Sequence, residues 1–249
     1  MKKIGVTLSG GFVKGAAHIG FLKALEYKGL SPSFIAGASA GSVVGLLYAC
    51  GIPLEKIEEI GRELSWKKLA TPSLKGGLFK LDGLHKILRE LTGNPDLREL
   101  KIPFAVVVVN LKTLKVEVKR EGPAVDFVVA SCSLPPLFSP WKVGNKYYFD
   151  GGVRNCLPAE VTKSSGVDLN VCSNVNTYTE LKNYNPQSIA NVTMRASLAN
   201  VIENQSWRLN YCDIIVNHSI PYNPLDFSKV EEIVKAGFEE TIREIEKWL

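Results

Sequence analysis

The segment that decides the fold is Phe34-Ile35-Ala36-Gly37-Ala38-Ser39-Ala40-Gly41-Ser42-Val43-Val44-Gly45. A short apolar run turns through Gly37-Ala38-Ser39-Ala40-Gly41 into an uncharged stretch that reaches residue 49. This order predicts a strand, a tight turn and a buried helix over 40–49. A G-x-S-x-G turn in that context presents its serine as a nucleophile, and glycines such as Gly37 and Gly41 let the strand and the helix approach closely. The pattern alone fits a plain turn with a solvated serine equally well.

Strands and helices alternate outward from this segment. The apolar runs predict strands at 3–8, 34–36, 104–109, 114–118, 147–149, 169–172 and 214–216. Helical spacing predicts helices at 15–28, 40–49, 53–64, 82–91, 125–130, 188–209 and at the carboxyl terminus. The run of valines within 104–109 is typical of a strand buried on both faces of a parallel sheet. We therefore expect a single three-layer α/β/α domain over 1–249, with a mostly parallel central sheet.

Some helices carry more specific expectations. Asp82 is predicted to cap the helix that it begins, and Ser228 with Glu231 is predicted to form a capping box. The helix over 188–209 shows an apolar row at Ile189, Val192, Ala196, Ala199 and Ile202.

Composition excludes several classes of protein. The chain has 249 residues, 45% of them hydrophobic, and a net charge of +5, which is too weak to indicate nucleic-acid binding. Five cysteines without a CxxC pair argue against a disulfide framework and a zinc site, and they favour reduced thiols in the cytoplasm. No signal peptide is evident. Residues 29–54 are uncharged, but prolines and glycines interrupt them, so we expect a buried strand, turn and helix instead of a transmembrane span.

A second glycine-rich loop, Ser9-Gly10-Gly11-Phe12-Val13-Lys14-Gly15, follows the first predicted strand. A phosphate-binding P-loop is excluded because Lys14 precedes Gly15 instead of following the last glycine. A dinucleotide fingerprint is excluded because Phe12 replaces the middle glycine and no acidic residue follows at the required distance. The remaining use of its backbone N–H groups is an oxyanion hole for acyl transfer, which needs a nucleophile such as Ser39 nearby.

The base that would activate Ser39 has two candidates. The order Ser39, Asp150, His218 matches an α/β-hydrolase triad, but that fold places several strands before the nucleophile, and here one strand precedes it. We expect His218 to be a partly exposed surface residue, His85 to have no catalytic partner, and His18 to support the glycine-rich loop. Asp150 ends a strand and precedes Gly151-Gly152, a pattern that also fits a common turn. The three loops all follow predicted strands, where ligands of open α/β sheets bind.

Together these loops resemble the patatin-like phospholipase family. The resemblance rests on Ser9 to Gly20, on Gly37-Ala38-Ser39-Ala40-Gly41-Ser42, on Asp150-Gly151-Gly152, and on the preceding stretch Ala130-Ser131-Cys132-Ser133-Leu134-Pro135-Pro136-Leu137-Phe138. It covers about residues 4–160, and the tail from about residue 174 carries no family motif.

The resemblance implies a serine–aspartate dyad without histidine, in which Ser39 attacks an acyl ester of a lipid and Asp150 takes its proton. It implies no metal and no cofactor. The other implied site residues are the oxyanion donors Gly10, Gly11 and Phe12, the loop supports Lys14, Gly15 and His18, the turn glycines Gly37 and Gly41, and Gly151 and Gly152 after the base. Family members usually have glycine where Phe12 stands, so we expect a different loop path. A transacylase and a weakly active, lipid-binding member remain alternatives.

Residues 65–81 are the candidate membrane contact. Five apolar residues alternate with four lysines and no acid, a mixture that suits the headgroup boundary: Trp66, Leu69, Leu74, Leu78, Phe79, Lys67, Lys68, Lys75 and Lys80. We expect a mobile flap that touches lipid at the periphery of a membrane. The alternative is a surface connection whose apolar side chains pack on the core. The expected partner is a lipid or acyl-ester substrate, and nothing indicates an oligomeric state.

Overall fold

The structure, a computed structural model, describes residues 2–73, 75–182 and 185–248. Its strands are β1 (Ile4–Leu8), β2 (Pro32–Gly37), β3 (Thr71–Pro72), β4 (Phe79–Lys80), β5 (Phe104–Asn110), β6 (Val116–Lys119), β7 (Trp141–Val143), β8 (Lys146–Asp150), β9 (Leu169–Asn174) and β10 (Ile214–Asn217). Its helices are α1 (Ala17–Tyr27), α2 (Ala40–Ala49), α3 (Leu54–Glu63), α4 (Trp66–Leu69), α5 (Asp82–Thr92), α6 (Ala124–Cys132), α7 (Gly152–Asn155), α8 (Ala159–Lys163), α9 (Ile189–Gln205) and α10 (Val230–Ile245).

The main sheet runs in the order β10-β9-β1-β2-β5-β8-β7, and β6 also pairs with β5. The strands from β10 to β5 are parallel to their neighbours, whereas β6, β7 and β8 pair antiparallel. The prediction of an α/β fold with a mostly parallel sheet is confirmed. The short strands β3 and β4 form a separate antiparallel pair.

Helices cover both faces of the sheet, which explains the apolar strands. Every residue of β5 is buried, as the run of valines predicts. Helices α1, α2 and α10 contribute to the main core cluster on one face. On the opposite face, Val161 of α8 packs with Phe34, Ala36 and Ala105 of β2 and β5.

Several local predictions are wrong at helix ends. Leu81 occupies the N-cap of α5, and Asp82 lies inside the helix, where it accepts a hydrogen bond from Thr71 Oγ1 at 3.2 Å. The capping box at Ser228 does not form, because Asp226 instead caps a 3-10 turn at Phe227–Lys229 that precedes α10. In both places the observed N-cap lies one residue away from the predicted cap, at Leu81 instead of Asp82 and at Lys229 instead of Ser228.

The apolar row predicted on α9 faces outward. Ile189 is 85% exposed, and Val192 is also exposed. Helix α9 instead directs Arg195, Leu198, Val201 and Asn204 toward a cavity that also reaches Ser39. The side-chain period of the sequence is right, but it does not show which face the rest of the fold covers.

The expectation of five reduced cysteines is also wrong for one pair. Cys172 lies in β9, and Cys212 lies just before β10, which is the strand paired with β9. Pairing of these strands brings the two residues to a Cα–Cα distance of 5.8 Å, and they form a disulfide. Cys50, Cys132 and Cys156 are free.

Among residues 2–73, 75–182 and 185–248, no helix combines the length and the hydropathy needed to cross a bilayer.

Helices α1 and α10 approach each other so closely that only glycine fits at two positions of their contact. A Cβ atom at Gly20 of α1 would overlap the carbonyl oxygen of Val234, and one at Gly237 of α10 would overlap the carbonyl oxygen of Ala17. Backbone therefore packs on backbone between α1 and α10. This contact holds α10 against the helix that follows the glycine-rich loop.

We expect Gly20→Ala to lower the free energy of unfolding by about 1–3 kcal/mol, because the added methyl forces α1 and α10 apart. Gly61→Ala in α3 is the matched control, since a Cβ there meets no atom closer than Val230 Cγ1 at 3.4 Å. The control is expected to be neutral or to gain about 0.5–1 kcal/mol, because alanine favours helix over glycine. Chemical denaturation of both variants measures the difference, and equal stabilities would contradict the close-packing argument.

Candidate active site

The turn between β2 and α2 holds Ser39 in a strained conformation. Its φ and ψ are 48° and −126°, which a non-glycine residue rarely adopts. The backbone N–H of Ser39 donates to Ser131 Oγ at 2.9 Å, and the Ser131 hydroxyl donates to the carbonyl of Val107 at 2.7 Å. A Cβ at Gly41 would overlap the Leu8 carbonyl, so α2 packs directly on the end of β1. These contacts fix the strained turn at the carboxyl end of β2.

Asp150 lies at the same end of the sheet, but on a strand whose direction the sequence did not predict. It ends β8, which is antiparallel to β5, so it does not lie at the carboxyl end of a parallel strand. Strand β5 continues beyond the last residue that it pairs with β2, where Gly37 faces Val106. Asp150 pairs with Val108, just past that point, and its backbone N–H donates to the Ser133 carbonyl at 3.0 Å. The unequal strand lengths therefore place Asp150 beside the turn that carries Ser39.

The hydroxyl of Ser39 donates to Asp150 Oδ2 at 2.8 Å. The other carboxylate oxygen, Oδ1, accepts the backbone N–H of Gly152 at 2.7 Å. Both side chains are buried. Burial raises the pKa of Asp150 to about 7, whereas the hydrogen bonds from Ser39 and Gly152 act in the opposite direction. The site thus holds a serine hydroxyl against a carboxylate whose proton affinity suits a general base near neutral pH.

The glycine-rich loop lies beside Ser39 and Asp150. Its free backbone N–H groups differ at one residue from the predicted oxyanion donors. The N–H of Gly10 donates to the Cys156 carbonyl at 2.9 Å, so it cannot serve an oxyanion. Within the described residues, the N–H groups of Gly11 and Phe12 have no acceptor. Phe12 has a φ of 53°, so it adopts the positive φ that we expected phenylalanine to resist.

Helix α2 adds an amide that the sequence analysis missed. Ala40 is its first residue, and among the described residues its N–H donates to no protein acceptor. In α/β-hydrolases, which use a G-x-S-x-G turn, the residue after the nucleophile supplies an oxyanion donor. The sequence did carry a signal for this donor, because the helix predicted over 40–49 begins directly after Ser39.

Lys14 is buried and ties the loop to the neighbouring strand. Its Nζ donates to the Val175 carbonyl at 2.7 Å. Burial lowers the pKa of Lys14 to about 8, Cys156 opposes this change, and the positive charge of Arg195 adds to it. Gly15 sits against α2, because a Cβ there would lie 2.6 Å from Ala40 Cβ. Both residues stabilise the loop in place above Ser39.

The three histidines lie outside hydrogen-bond contact with the dyad. His18 is buried below the loop and contacts the Ser9 carbonyl through Nε2 at 2.7 Å. His218 is fully buried, so the expectation of a partly exposed surface residue is wrong, and its ring contacts Ser173 and Glu240. His85 stacks near Trp141 and lies 3.4 Å from Asp126. The residue that the sequence order offered as a triad histidine is therefore placed elsewhere.

Two cavities of different character meet at Ser39 and Phe12. One has a volume of about 150 Å³ and an almost wholly apolar wall that includes Ile19, Val43, Ile57, Trp66 and Phe138. The other, called the polar chamber below, has a volume of about 400 Å³ and a mixed wall, in which Leu134, Leu198 and Val201 stand among these polar side chains: Lys14, Asp150, Asn176, Arg195, Asn200 and Asn204. The serine hydroxyl therefore lies between an apolar chamber and a chamber of mixed polarity.

Several functional positions carried no sequence signal of their role. Ser131 and Ser133 lie in the stretch 130–138, on which the family resemblance partly rests. Their contacts to Ser39 and Asp150 nevertheless depend on the fold. Arg195 lies in the tail without a motif. Among the described residues, no group of three or more His, Cys, Asp or Glu side chains is arranged to hold a metal ion.

The family model for patatin-like phospholipase matches residues 6–163, which is more than half of the chain. The chain therefore belongs to the patatin-like phospholipase family. The matched range contains the glycine-rich loop, the turn at Ser39 and Asp150-Gly151-Gly152.

An uncharacterized NTE family protein of Mycobacterium tuberculosis is 28% identical over 178 residues, covering 70% of this chain and 49% of that protein. Patatin-like phospholipase domain-containing protein 6 of Homo sapiens is 29% identical over 190 residues, covering 71% of this chain and 14% of that protein. The chain thus spans about half or less of the length of these relatives. Among solved structures, VipD from Legionella pneumophila shares the fold with a TM-score of 0.65 at 17% identity, covering 99% of this chain and 67% of VipD.

Activity is expected to depend on the ionisation of Asp150. Because burial raises the pKa of this carboxyl to about 7, it is protonated below that pH and cannot accept the serine proton. We expect kcat/KM to rise about tenfold per pH unit up to about pH 7 and then to level off. A pH profile with a non-ionising ester substrate measures this. A profile that is flat down to pH 5 would contradict the assigned role of burial.

Proposed function

We propose that this protein is a serine acyl hydrolase that cleaves ester bonds of lipids through Ser39 and Asp150. The observation that carries the proposal is the 2.8 Å hydrogen bond from Ser39 Oγ to Asp150 Oδ2 in a buried site. The ionised carboxylate takes the hydroxyl proton while the serine oxygen attacks the ester carbonyl. The carbonyl electron pair moves onto oxygen, which the free N–H groups of Gly11, Phe12 and Ala40 would stabilise.

The second half of the reaction returns the enzyme to its starting state. As the tetrahedral intermediate collapses, protonated Asp150 gives its proton to the leaving alcohol, and an acyl ester on Ser39 remains. Water then attacks this ester, Asp150 takes a proton from the water, and the fatty acid leaves as Ser39 regains its hydrogen. An alcohol in place of water would make the same site a transacylase.

The two cavities indicate how the substrate lies. The apolar chamber matches an acyl chain, because it offers hydrophobic contact and almost no polar partner. The polar chamber then receives the alcohol part of the ester. Its wall carries Lys14 and Arg195, and in the part of the chain that the structure describes neither residue forms an ion pair with a carboxylate. Two cations without an acidic partner favour an alcohol leaving group that carries an anionic phosphate, such as the glycerophosphate part of a lysophospholipid.

The dyad is tested by substitution and by active-site labelling. We expect Ser39→Ala and Asp150→Asn each to lower kcat by about 10⁴-fold or more, with little further loss in the double variant, because nucleophile and base act as one unit. A fluorophosphonate probe should label the wild type and not Ser39→Ala. His218→Gln serves as the comparison, and we expect it to retain at least about a hundredfold more turnover than Ser39→Ala.

Labelling of Ser39→Ala, or loss of turnover in folded His218→Gln equal to that of Ser39→Ala, would overturn this mechanism. Product analysis with and without an added alcohol separates hydrolysis from acyl transfer.

Arg195→Gln is expected to discriminate between substrates. With the same acyl chain, kcat/KM should fall about tenfold or more for an anionic lysophospholipid and change little for an uncharged monoacylglycerol, because a charge-assisted hydrogen bond is lost only for the anion. Arg243→Gln on the exposed side of α10 is the control. Equal losses for both substrates would show that Arg195 does not read the charge.

The membrane contact through residues 65–81 stays a proposal, with a narrower surface. Trp66 and Leu69 pack into the core, and Trp66 Nε1 donates to the Leu225 carbonyl at 2.8 Å. Leu74 lies outside the described residues. Leu78, 57% exposed, and Phe79 remain on the surface, close along the chain to Lys75 and Lys80. The candidate contact is therefore the β3–β4 hairpin, and the tryptophan belongs to the wall of the apolar chamber.

We expect a Leu78→Ser, Lys75→Ala, Lys80→Ala variant to bind anionic vesicles at low salt at least about tenfold more weakly than the wild type, since each lysine near an anionic surface contributes about 1 kcal/mol. A Tyr27→Ser, Lys235→Ala, Lys146→Ala variant removes the same number of charges from other surfaces. Vesicle co-sedimentation compares the three proteins. Equal binding by the hairpin variant and the wild type would exclude the hairpin as the contact.

A further inference from the structure

A buried chain of hydrogen bonds connects the glycine-rich loop with helix α10. The Ser9 carbonyl contacts His18 Nε2 at 2.7 Å, and His18 Nδ1 contacts Ser173 Oγ at 2.8 Å. Ser173 Oγ contacts His218 Nε2 at 2.8 Å, and His218 Nδ1 contacts Glu240 Oε2 at 2.9 Å. His18, Ser173 and His218 are completely buried. None of these groups has a role in the chemistry at Ser39.

The first two links fix the proton positions on His18. A carbonyl oxygen only accepts, so His18 Nε2 must carry the hydrogen that reaches Ser9. Burial lowers the pKa of His18 to about 3, the neighbouring His218 acts in the same direction and the bond to Ser9 opposes it, so the ring is neutral near pH 7. Its Nδ1 is then bare and accepts the hydroxyl hydrogen of Ser173.

The remaining links fix the protons on His218. Ser173 has one hydrogen, which is already donated to His18, so Nε2 of His218 must donate to the serine oxygen. Nδ1 faces Glu240, whose other oxygen, Oε1, accepts the backbone N–H of Ser219 at 3.2 Å. With an ionised Glu240, every link closes only if His218 donates from both ring nitrogens as an imidazolium.

The end of this chain holds one particular peptide unit. The carbonyl of Ser9 is gripped by His18, and the N–H of the same peptide unit, from Gly10, donates to Cys156. The next carbonyl, of Gly10, accepts the side-chain amide of Asn176 at 2.8 Å. The N–H groups that follow, from Gly11 and Phe12, are the proposed oxyanion donors. The direction of these two N–H groups therefore depends on the plane of the Ser9–Gly10 peptide unit, which His18 holds in place.

We propose that His218 and Glu240 are positioning residues: a buried imidazolium–carboxylate pair that closes the end of the hydrogen-bond chain at α10 and thereby helps to orient the oxyanion donors. Its kinetic consequence rests on the proposed hydrolase function. The protonation of His218 does not, so the two can fail separately.

Glu240→Leu removes the acceptor at the end of the chain. His218 Nδ1 and the Ser219 N–H then have no partner from residue 240, so the link to α10 is lost. Glu240→Gln keeps the chain closed in a neutral form, because its amide oxygen accepts the Ser219 N–H and its amide nitrogen donates to the bare Nδ1 of a neutral His218. Glu239→Leu is the matched control, because Glu239 is the preceding residue on α10 and is exposed.

Nitrogen NMR of the wild type, labelled with ¹⁵N-histidine, tests the protonation directly. The chain has 3 histidines, and a His85→Gln variant removes the signal that does not belong to the chain of hydrogen bonds. We expect one ring with hydrogen on both nitrogens at pH 7 and one neutral ring with hydrogen on Nε2. A neutral His218, as in a pair with protonated Glu240, would overturn the proposal.

Kinetics test the positioning role. We expect Glu240→Leu to lower kcat by about 10- to 100-fold, with KM within about twofold, since small misplacement of catalytic groups costs rates of this size. Glu240→Gln, which keeps the chain closed, should restore kcat to within about threefold of the wild type. Fluorophosphonate labelling should follow the same order, and Glu239→Leu should match the wild type in both. Wild-type rates in folded Glu240→Leu, or equal losses in Glu240→Leu and Glu240→Gln, would overturn the positioning role. If Glu240→Leu does not fold, or the wild type hydrolyses no ester, the NMR result alone decides the assignment of the pair.

Discussion

The hydrogen bond between Ser39 and Asp150 is the interaction around which the fold is arranged, because its two residues come from elements of opposite direction. Ser39 follows a parallel strand, and Asp150 ends an antiparallel one. They meet because β5 continues past the last residue paired with β2, which leaves room for β8 to add along its free length. A change of register by one residue would direct Asp150 to the opposite face of the sheet. The burial of Tyr148, beside Tyr147 at 50% exposure, opposes such a slip of β8.

The buried charge of Asp150 and the strained backbone of Ser39 both cost free energy, which contacts with surrounding residues have to offset. A carboxylate in a desolvated site is costly, and the two hydrogen bonds that it accepts offset part of that cost. The positive φ of Ser39 costs on the order of 1–3 kcal/mol. Ser131 holds the serine amide, and the close contact of α2 with β1 holds the helix that follows. The strain therefore persists because packing on both sides leaves the turn no other path.

The sequence was most informative where local pattern and tertiary environment coincide. The bounds of α2 follow from an uncharged stretch between a turn and Cys50, and β5 follows from consecutive valines. The three loops at the site were also visible, because short motifs need specific residues. The antiparallel direction of β8 was not visible, since a short apolar run has the same pattern in either direction.

Other features depend on contacts that only the folded chain makes. The burial of His218 comes from α10 covering β10, and the disulfide comes from the pairing of β9 with β10. The apolar row on α9 showed the period of the helix correctly. Its orientation is set by the polar chamber, toward which Arg195 and Asn204 turn.

The backbone contact between α1 and α10 has a consequence for the order in which the protein becomes competent. Chains emerge from the ribosome amino terminus first. The loop after β1 is thus among the first segments made, yet the helix that packs against its base, α10, is among the last of the described elements. A nascent chain that has reached only residue 200 lacks Glu240 and the partner surface of α1. The contacts that support the glycine-rich loop are therefore complete only after α10 has been made, so a loop that is synthesised early reaches its final packing late.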